Sequence, residues 1–259
     1  MSTPRRKLGY LRGVKDARDI DAATTLRAIK VPASASLRHH VIEVLDQGAL
    51  GSCVANAGCQ AIRMSQHRQG AVQPPLCSRL WGYYLARAQQ GSVLEDSGTY
   101  IRNFFRGVVK FGFPPESAWP YVLDGDRFKR MPGPEVFRAA YDQHAPTVYR
   151  RIFATGPERA RTVKAAIAGG YPVVFGTDVS IGFVDGQLAR DGVPPPIREQ
   201  IAGGHAMTVV AYEGDVFEIC NSWGSGWGYG GFCYLSTEYL QWPTTDDLWI
   251  VESAPPLVA

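Results

Sequence analysis

Cys53 sits in the stretch DQGALGSCVANAGC, residues 46–59, where a turn of small residues runs directly into an apolar pattern. Val54, Ala57, Ala61 and Met64 recur at three- and four-residue spacing, which predicts a helix from Cys53 to about Gly70. A thiol attacks a carbonyl only as its thiolate, and the partial positive charge of a helix N-terminus together with an adjacent imidazolium favours that form. Of the five histidines, His67 lies at the far end of the same helix, roughly 20 Å away by helical rise. His39 and His40 fall in an irregular entry segment and His144 in a proline-rich connection, and all three read as surface residues. His205 differs: GGHAMTVVAYE places it at the start of a strand behind two glycines that permit close backbone approach. Sixteen residues later, Asn221 in CNSWGSGWG could orient an imidazole through its second ring nitrogen. Taken alone, Cys53 also fits a small buried residue of a core helix.

These residues need elements to position them. A second helix is expected from about Gly98 to Phe111, with Ile101, Phe104, Phe105, Val108 and Val109 on a broad apolar face, and another at 157–168 opening on Pro157. Between about 112 and 146 prolines and glycines break regular structure, marking a crossing between lobes. The last 90 or so residues change to β-branched and aromatic runs, YPVVFGTDVS, HAMTVVAYE, DVFEICNS and GFCYLS, with YEGDV reading as a hairpin. The expectation is an α+β, two-lobed fold: a mainly helical lobe at about 31–145, an antiparallel, barrel-like β lobe at about 146–259, and a cleft between them.

At 259 residues the chain can bury a full core unaided. No apolar run approaches the roughly 20 residues of a membrane span, and the N-terminus lacks the apolar stretch of a secretory signal. A cytoplasmic monomer without membrane or nucleic-acid partners is the default expectation, with signal-independent export left open. The five cysteines, 53, 59, 77, 220 and 233, include no close CxxC pair, so no metal or other cofactor is expected. Residues 1–30 carry eight Lys or Arg against three Asp, leaving the rest of the chain slightly acidic. Such a basic extension is either a solvated arm or a segment docked on an acidic face.

DQGALGSC, GGHAMTVVAYE and NSWGSGWGYGGF, in the order Cys, His, Asn, resemble the papain family of cysteine peptidases, in a compact, bacterial-type form. EDSGTYIRNFFRGVVKFGFPPESAWPY is similar to the family's segment following its substrate-binding glycines, so the resemblance covers about 31–259. It implies a hydrolase that cleaves peptide bonds, with Cys53 as nucleophile, His205 as general acid and base, Asn221 orienting His205, and Gln47 in the oxyanion hole with the Cys53 N–H. Trp223 would shield the Asn–His hydrogen bond. Gly98 and Thr99 would bind the substrate main chain, and Gly176, Gly203 and Gly204 would wall the specificity pocket. Two other classes fit less of the pattern: a catalytically silent peptide-binding module, and a Cys–His acyl transferase or amidase, which commonly uses Asp where this chain has Asn.

The sequence departs from the family at three places. Leu50 stands where a cysteine is usual and Asp96 where its disulfide partner would be, consistent with a reducing compartment. Val54 replaces the usual Trp after the nucleophile, a change of packing that removes no catalytic atom. In place of a long prosegment only about 30 residues precede the resemblance, and the expectation is that residues 1–30 partly occlude the cleft, as in a zymogen.

Overall fold

The structure is a computed structural model and describes residues 6–255; residues 1–5 of the basic extension and 256–259 lie outside the described residues. Among the described residues two large apolar cores are present, beside a small cluster of Trp81, Leu85, Val136 and Ala140. The first belongs to the helices α2 (Cys53–Arg68), α3 (Arg79–Ala88) and α4 (Ile101–Phe111), which follow a single short turn, α1 (Ala23–Leu26). Phe104 is the centre of this packing: a Cβ at Gly58 of α2 or at Gly82 of α3 would run into its ring, so two glycines let three helices close on one aromatic side chain. Ser78 caps α3 by accepting the Trp81 N–H at 3.2 Å, and Gly112 ends α4 at φ +75°.

The second core lies under a seven-stranded sheet whose named strand pairs are all antiparallel. The strands are β1 (Ser34–Ser36), β2 (Thr147–Ile152), β3 (Val173–Ser180), β4 (Ile201–Glu213), β5 (Val216–Cys220), β6 (Phe232–Ser236) and β7 (Asp247–Ser253). They run in the order β2-β7-β3-β4-β5-β6, with β1 added on β4. Helix α5 (Pro134–Asp142) precedes β2, α6 (Gly156–Ala168) precedes β3, and the short α7 (Ile181–Val184) and α8 (Thr237–Gln241) follow β3 and β6. The α+β fold expected from the pattern change is the one observed.

Some elements differ from the sequence expectation. The helix expected from Gly98 begins at Ile101, because Gly98 takes φ +73°, outside the helical region. Helix α5 lies inside the supposedly broken stretch 112–146, with Pro134 at its first turn, where a missing N–H costs nothing. The amphipathic α3 and the strands β2 and β7 had no clear local signal. All five cysteines are free and buried, and the register sets Cys220 opposite Phe232 and Cys233 opposite Ile219.

Part of the basic extension belongs to the β-lobe core. Ala22 and Leu26 are buried there, and main-chain bonds tie Ala22 N–H to the Arg151 carbonyl and Arg151 N–H to the Ile20 carbonyl, both 2.8 Å. The buried Arg151 guanidinium lies 3.3 Å from both Asp19 and Asp247 and donates to the Val14 carbonyl at 2.9 Å. Arg102 binds Asp16 at 2.9 Å and also pairs with Asp19.

Candidate active site

Helix α2 supplies Cys53 at its first position, facing strand β4. The backbone N–H groups of Ala206 in β4 and of Gly9 in the N-terminal segment lie near enough to the sulfur to favour its thiolate. His205 precedes Ala206, and its Nε2 donates to Asn221 Oδ1 at 2.7 Å, just beyond the end of β5. Asn221 Oδ1 also accepts the Ser222 N–H at 2.8 Å, which fixes the amide's orientation and therefore the imidazole tautomer. Among the described residues His205 Nδ1 has no hydrogen-bond partner. Trp223 stacks on the imidazole, ring centroids 4.5 Å apart and planes 21° from parallel, covering the His205–Asn221 bond.

Gln47 is wholly buried. Its Oε1 accepts the Ser222 hydroxyl at 2.7 Å, and its Nε2 donates to the carbonyls of Leu50 and Lys7, both at 2.9 Å. Ser222 thus aligns both Asn221 and Gln47, a role that sequence reasoning missed although the residue lies inside NSWG. Asp96 ties the nucleophile turn to the glycine turn: it accepts the Gly51 N–H at 3.0 Å and the Tyr83 hydroxyl at 2.6 Å, while Tyr83 accepts the Gly98 N–H at 3.1 Å. A carboxylate with two fixed donors cross-links the turns where a disulfide was expected to be missing.

The residues assigned to substrate binding all touch the N-terminal segment. Thr99 N–H donates to the Gly9 carbonyl at 2.8 Å, and Leu11 N–H donates to the Thr99 carbonyl at 3.0 Å, forming a parallel bridge around Tyr10. Tyr10 N–H reaches the Gly204 carbonyl at 3.2 Å, and the Tyr10 ring packs so tightly on Gly176 that no Cβ would fit there. A Cβ on Gly98 would strike the Gly9 carbonyl, and one on Gly203 would meet the Leu8 side chain at 3.0 Å. Residues 7–11 therefore lie in the cleft in the manner of an added strand, bridged to the body at Tyr10, with the Lys7 carbonyl on Gln47 and the Gly9 N–H beside Cys53.

Burial sets the charge state of the pair. Desolvation pushes the Cys53 thiol up to about 11 despite the N–H groups of Ala206 and Gly9. Desolvation likewise brings His205 down to about 4, against the Asn221 hydrogen bond, and the nearby Arg6 cation lowers it further. Arg6 itself lies 5.1 Å over the Trp223 ring. At neutral pH the covered pair is a thiol and a neutral imidazole.

Two lobes, a helix-borne thiol and an imidazole oriented from the facing sheet define a papain-like cysteine peptidase. The family model described as papain family cysteine protease matches residues 31–242, and the chain belongs to that family. An uncharacterised peptidase C1-like protein of Acanthamoeba polyphaga mimivirus is 31% identical over 97% of this chain and 88% of its own length. A cathepsin B-like protein of Giardia intestinalis is 27% identical over 80% of this chain and 70% of its own. Among solved structures, xylellain, a cysteine protease from Xylella fastidiosa, superposes with a TM-score of 0.83 at 29% identity, covering 98% of both chains. A procathepsin B of Trypanosoma congolense shares the fold at a TM-score of 0.70, with 15% identity over 98% of this chain and 88% of that one.

Proposed function

We propose that the protein hydrolyses peptide bonds through a Cys53 thioester and that residues 6–11 hold it in a closed, latent form. The observation that carries this reading is the 2.9 Å bond from Gln47 Nε2 to the Lys7 carbonyl: a peptide carbonyl already occupies the donor beside the thiol. With the segment displaced, water reaches the pair, the thiol proton passes to His205 Nδ1, and the thiolate attacks the scissile carbonyl carbon. Gln47 Nε2 and the Cys53 N–H stabilise the oxyanion. His205 then protonates the leaving amine as the C–N bond breaks, and afterwards takes a proton from the water that hydrolyses the thioester. Asn221 holds Nε2 throughout and so leaves Nδ1 for the proton transfer.

The test compares the full chain with a chain lacking residues 1–11, using casein and a dye-labelled peptide. The shortened chain is expected to cleave both and to react rapidly with iodoacetamide at Cys53, and Cys53→Ala in that background should abolish cleavage. Equal activity of the two chains would remove the latent form, and cleavage by the Cys53→Ala variant would remove the nucleophile assignment. Shortening stops at residue 11 because Ala22 and Leu26 belong to the core.

A further inference from the structure

Lys7 makes two contacts at once. Its main-chain carbonyl sits on Gln47 Nε2, and its ammonium sits 2.7 Å from Asp96 Oδ2. Asp96 is no free surface acid. Its side chain is 13% exposed, and its position is fixed without Lys7 by the Gly51 N–H and the Tyr83 hydroxyl. Both anchors belong to the site: Gly51 lies two residues before Cys53, and Tyr83 also holds the Gly98 N–H. The carboxylate is thus a rigid anionic group placed to meet the side chain of whichever residue has its carbonyl on Gln47.

We propose that Asp96 determines specificity at the scissile bond, receiving the cationic side chain of the residue that donates the acyl group, so that the enzyme cleaves after Lys or Arg. The proposal rests on the peptidase reading. When Lys7 leaves, Asp96 keeps two neutral donors but loses its counter-charge in a partly desolvated position. A substrate ammonium or guanidinium restores that charge-assisted hydrogen bond, a neutral side chain leaves it unmade, and a carboxylate is repelled.

The test uses the full chain carrying Lys7→Ala and Tyr10→Ala, which empties the position and unseats the segment. Four peptides identical except for Lys, Arg, norleucine or Glu before the cleaved bond are compared by kcat/KM. Lys and Arg are expected to exceed norleucine by roughly tenfold, the size of one charge-assisted hydrogen bond, with Glu lowest. Adding Asp96→Asn, whose amide oxygen still accepts from Gly51 and Tyr83, should bring the Lys to norleucine ratio close to one through KM and relieve the Glu penalty. An unchanged ratio in that variant would overturn the proposal, as would an equal fall in kcat for all four peptides, which marks a structural role. If no peptide is cleaved in a Cys53-dependent way, the peptidase reading falls and the proposal falls with it.

Discussion

Residues 6–11 and 12–26 are consecutive, and both open on arginine, yet they are held by different forces. The first stretch lies in the cleft by main-chain bonds, one aromatic ring and the Lys7–Asp96 pair. The second carries Asp16, Asp19 and Asp21, the acidic residues of the extension, and is fastened by Arg102, Arg151 and the burial of Ala22 and Leu26. Its cations contribute as well, since Arg12 reaches Asp178 at 3.4 Å and Asp246 at 3.8 Å. Basic composition alone therefore does not define a detachable arm. On the proposed reading, a strand that substrate replaces is tethered to a segment that the fold needs, and opening is expected to be local within an otherwise cooperative domain.

The largest effect is expected where the anchored half meets the sheet. Arg151→Met removes the cation from a buried cluster and leaves Asp247 without its ion-pair partner, while Asp19 keeps Arg102, a loss of about 3–5 kcal/mol in urea unfolding. Burial already pushes the Asp247 carboxyl up although Arg151 lies 3.3 Å away, so Asp247→Asn should cost much less than Arg151→Met. A stability equal to wild type for Arg151→Met would mean that residues 12–26 are no better anchored than the cleft strand, and the contrast would disappear.

Tyr10→Ala tests the other half. The ring is 6% exposed and fills the space left by Gly176, so its loss should weaken docking by about 2–4 kcal/mol, in the range of large-to-small core substitutions. The Cys53 alkylation rate should rise on the order of a hundredfold while the urea midpoint barely moves. Tyr10→Phe should stay latent, because the buried hydroxyl has no hydrogen-bond partner among the described residues. A parallel drop in global stability for Tyr10→Ala would show that residues 6–11 unfold with the body, contrary to the local opening inferred above.

What the sequence made legible follows from the range of each interaction. The Cys, His and Asn blocks and Gln47 could be read because each lies in a local pattern, and the geometry brings Gln47, Asn221 and His205 together through Ser222. Helices α2 and α6 carried periodic apolar faces with clear ends, and the 214–215 turn between β4 and β5 announced itself as YEGDV. Strand β7 did not, because it is buried between β2 and β3 and lacks the alternation that marks a half-exposed strand. The division of the extension was hidden for a different reason. Nothing local in KLGYL says that Gly9 will lie against Gly51, or that Tyr10 will use a space whose only sequence trace is Gly176, more than 160 residues away.

The smallest expected effect concerns charge. His205 is lowered to about 4 in the closed form, so below its ordinary value near 6.5 an open site takes up a proton that the closed site refuses. The stability of the closed form is therefore complete above about 6.5 and is lost as pH falls towards 4. Cys53, raised to about 11 from 9.0, gives the opposite flank: its contribution is complete below 9 and is lost as pH rises to 11. Latency should be greatest between about 6.5 and 9. Going from pH 7 to 5 should weaken the closed form by about 2 kcal/mol, read as a roughly 30-fold gain in Cys53 alkylation relative to the chain lacking residues 1–11. Arg6→Ala removes a cation that disfavours imidazolium in the closed form, lifting the His205 pKa towards its ordinary value and making acid opening shallower. Because burial is the main cause of the lowered His205 value and Arg6 the least, that change should be only about twofold. A flat alkylation profile between pH 7 and 5 would separate the cleft strand from the electrostatics of the pair, leaving steric cover as its whole effect.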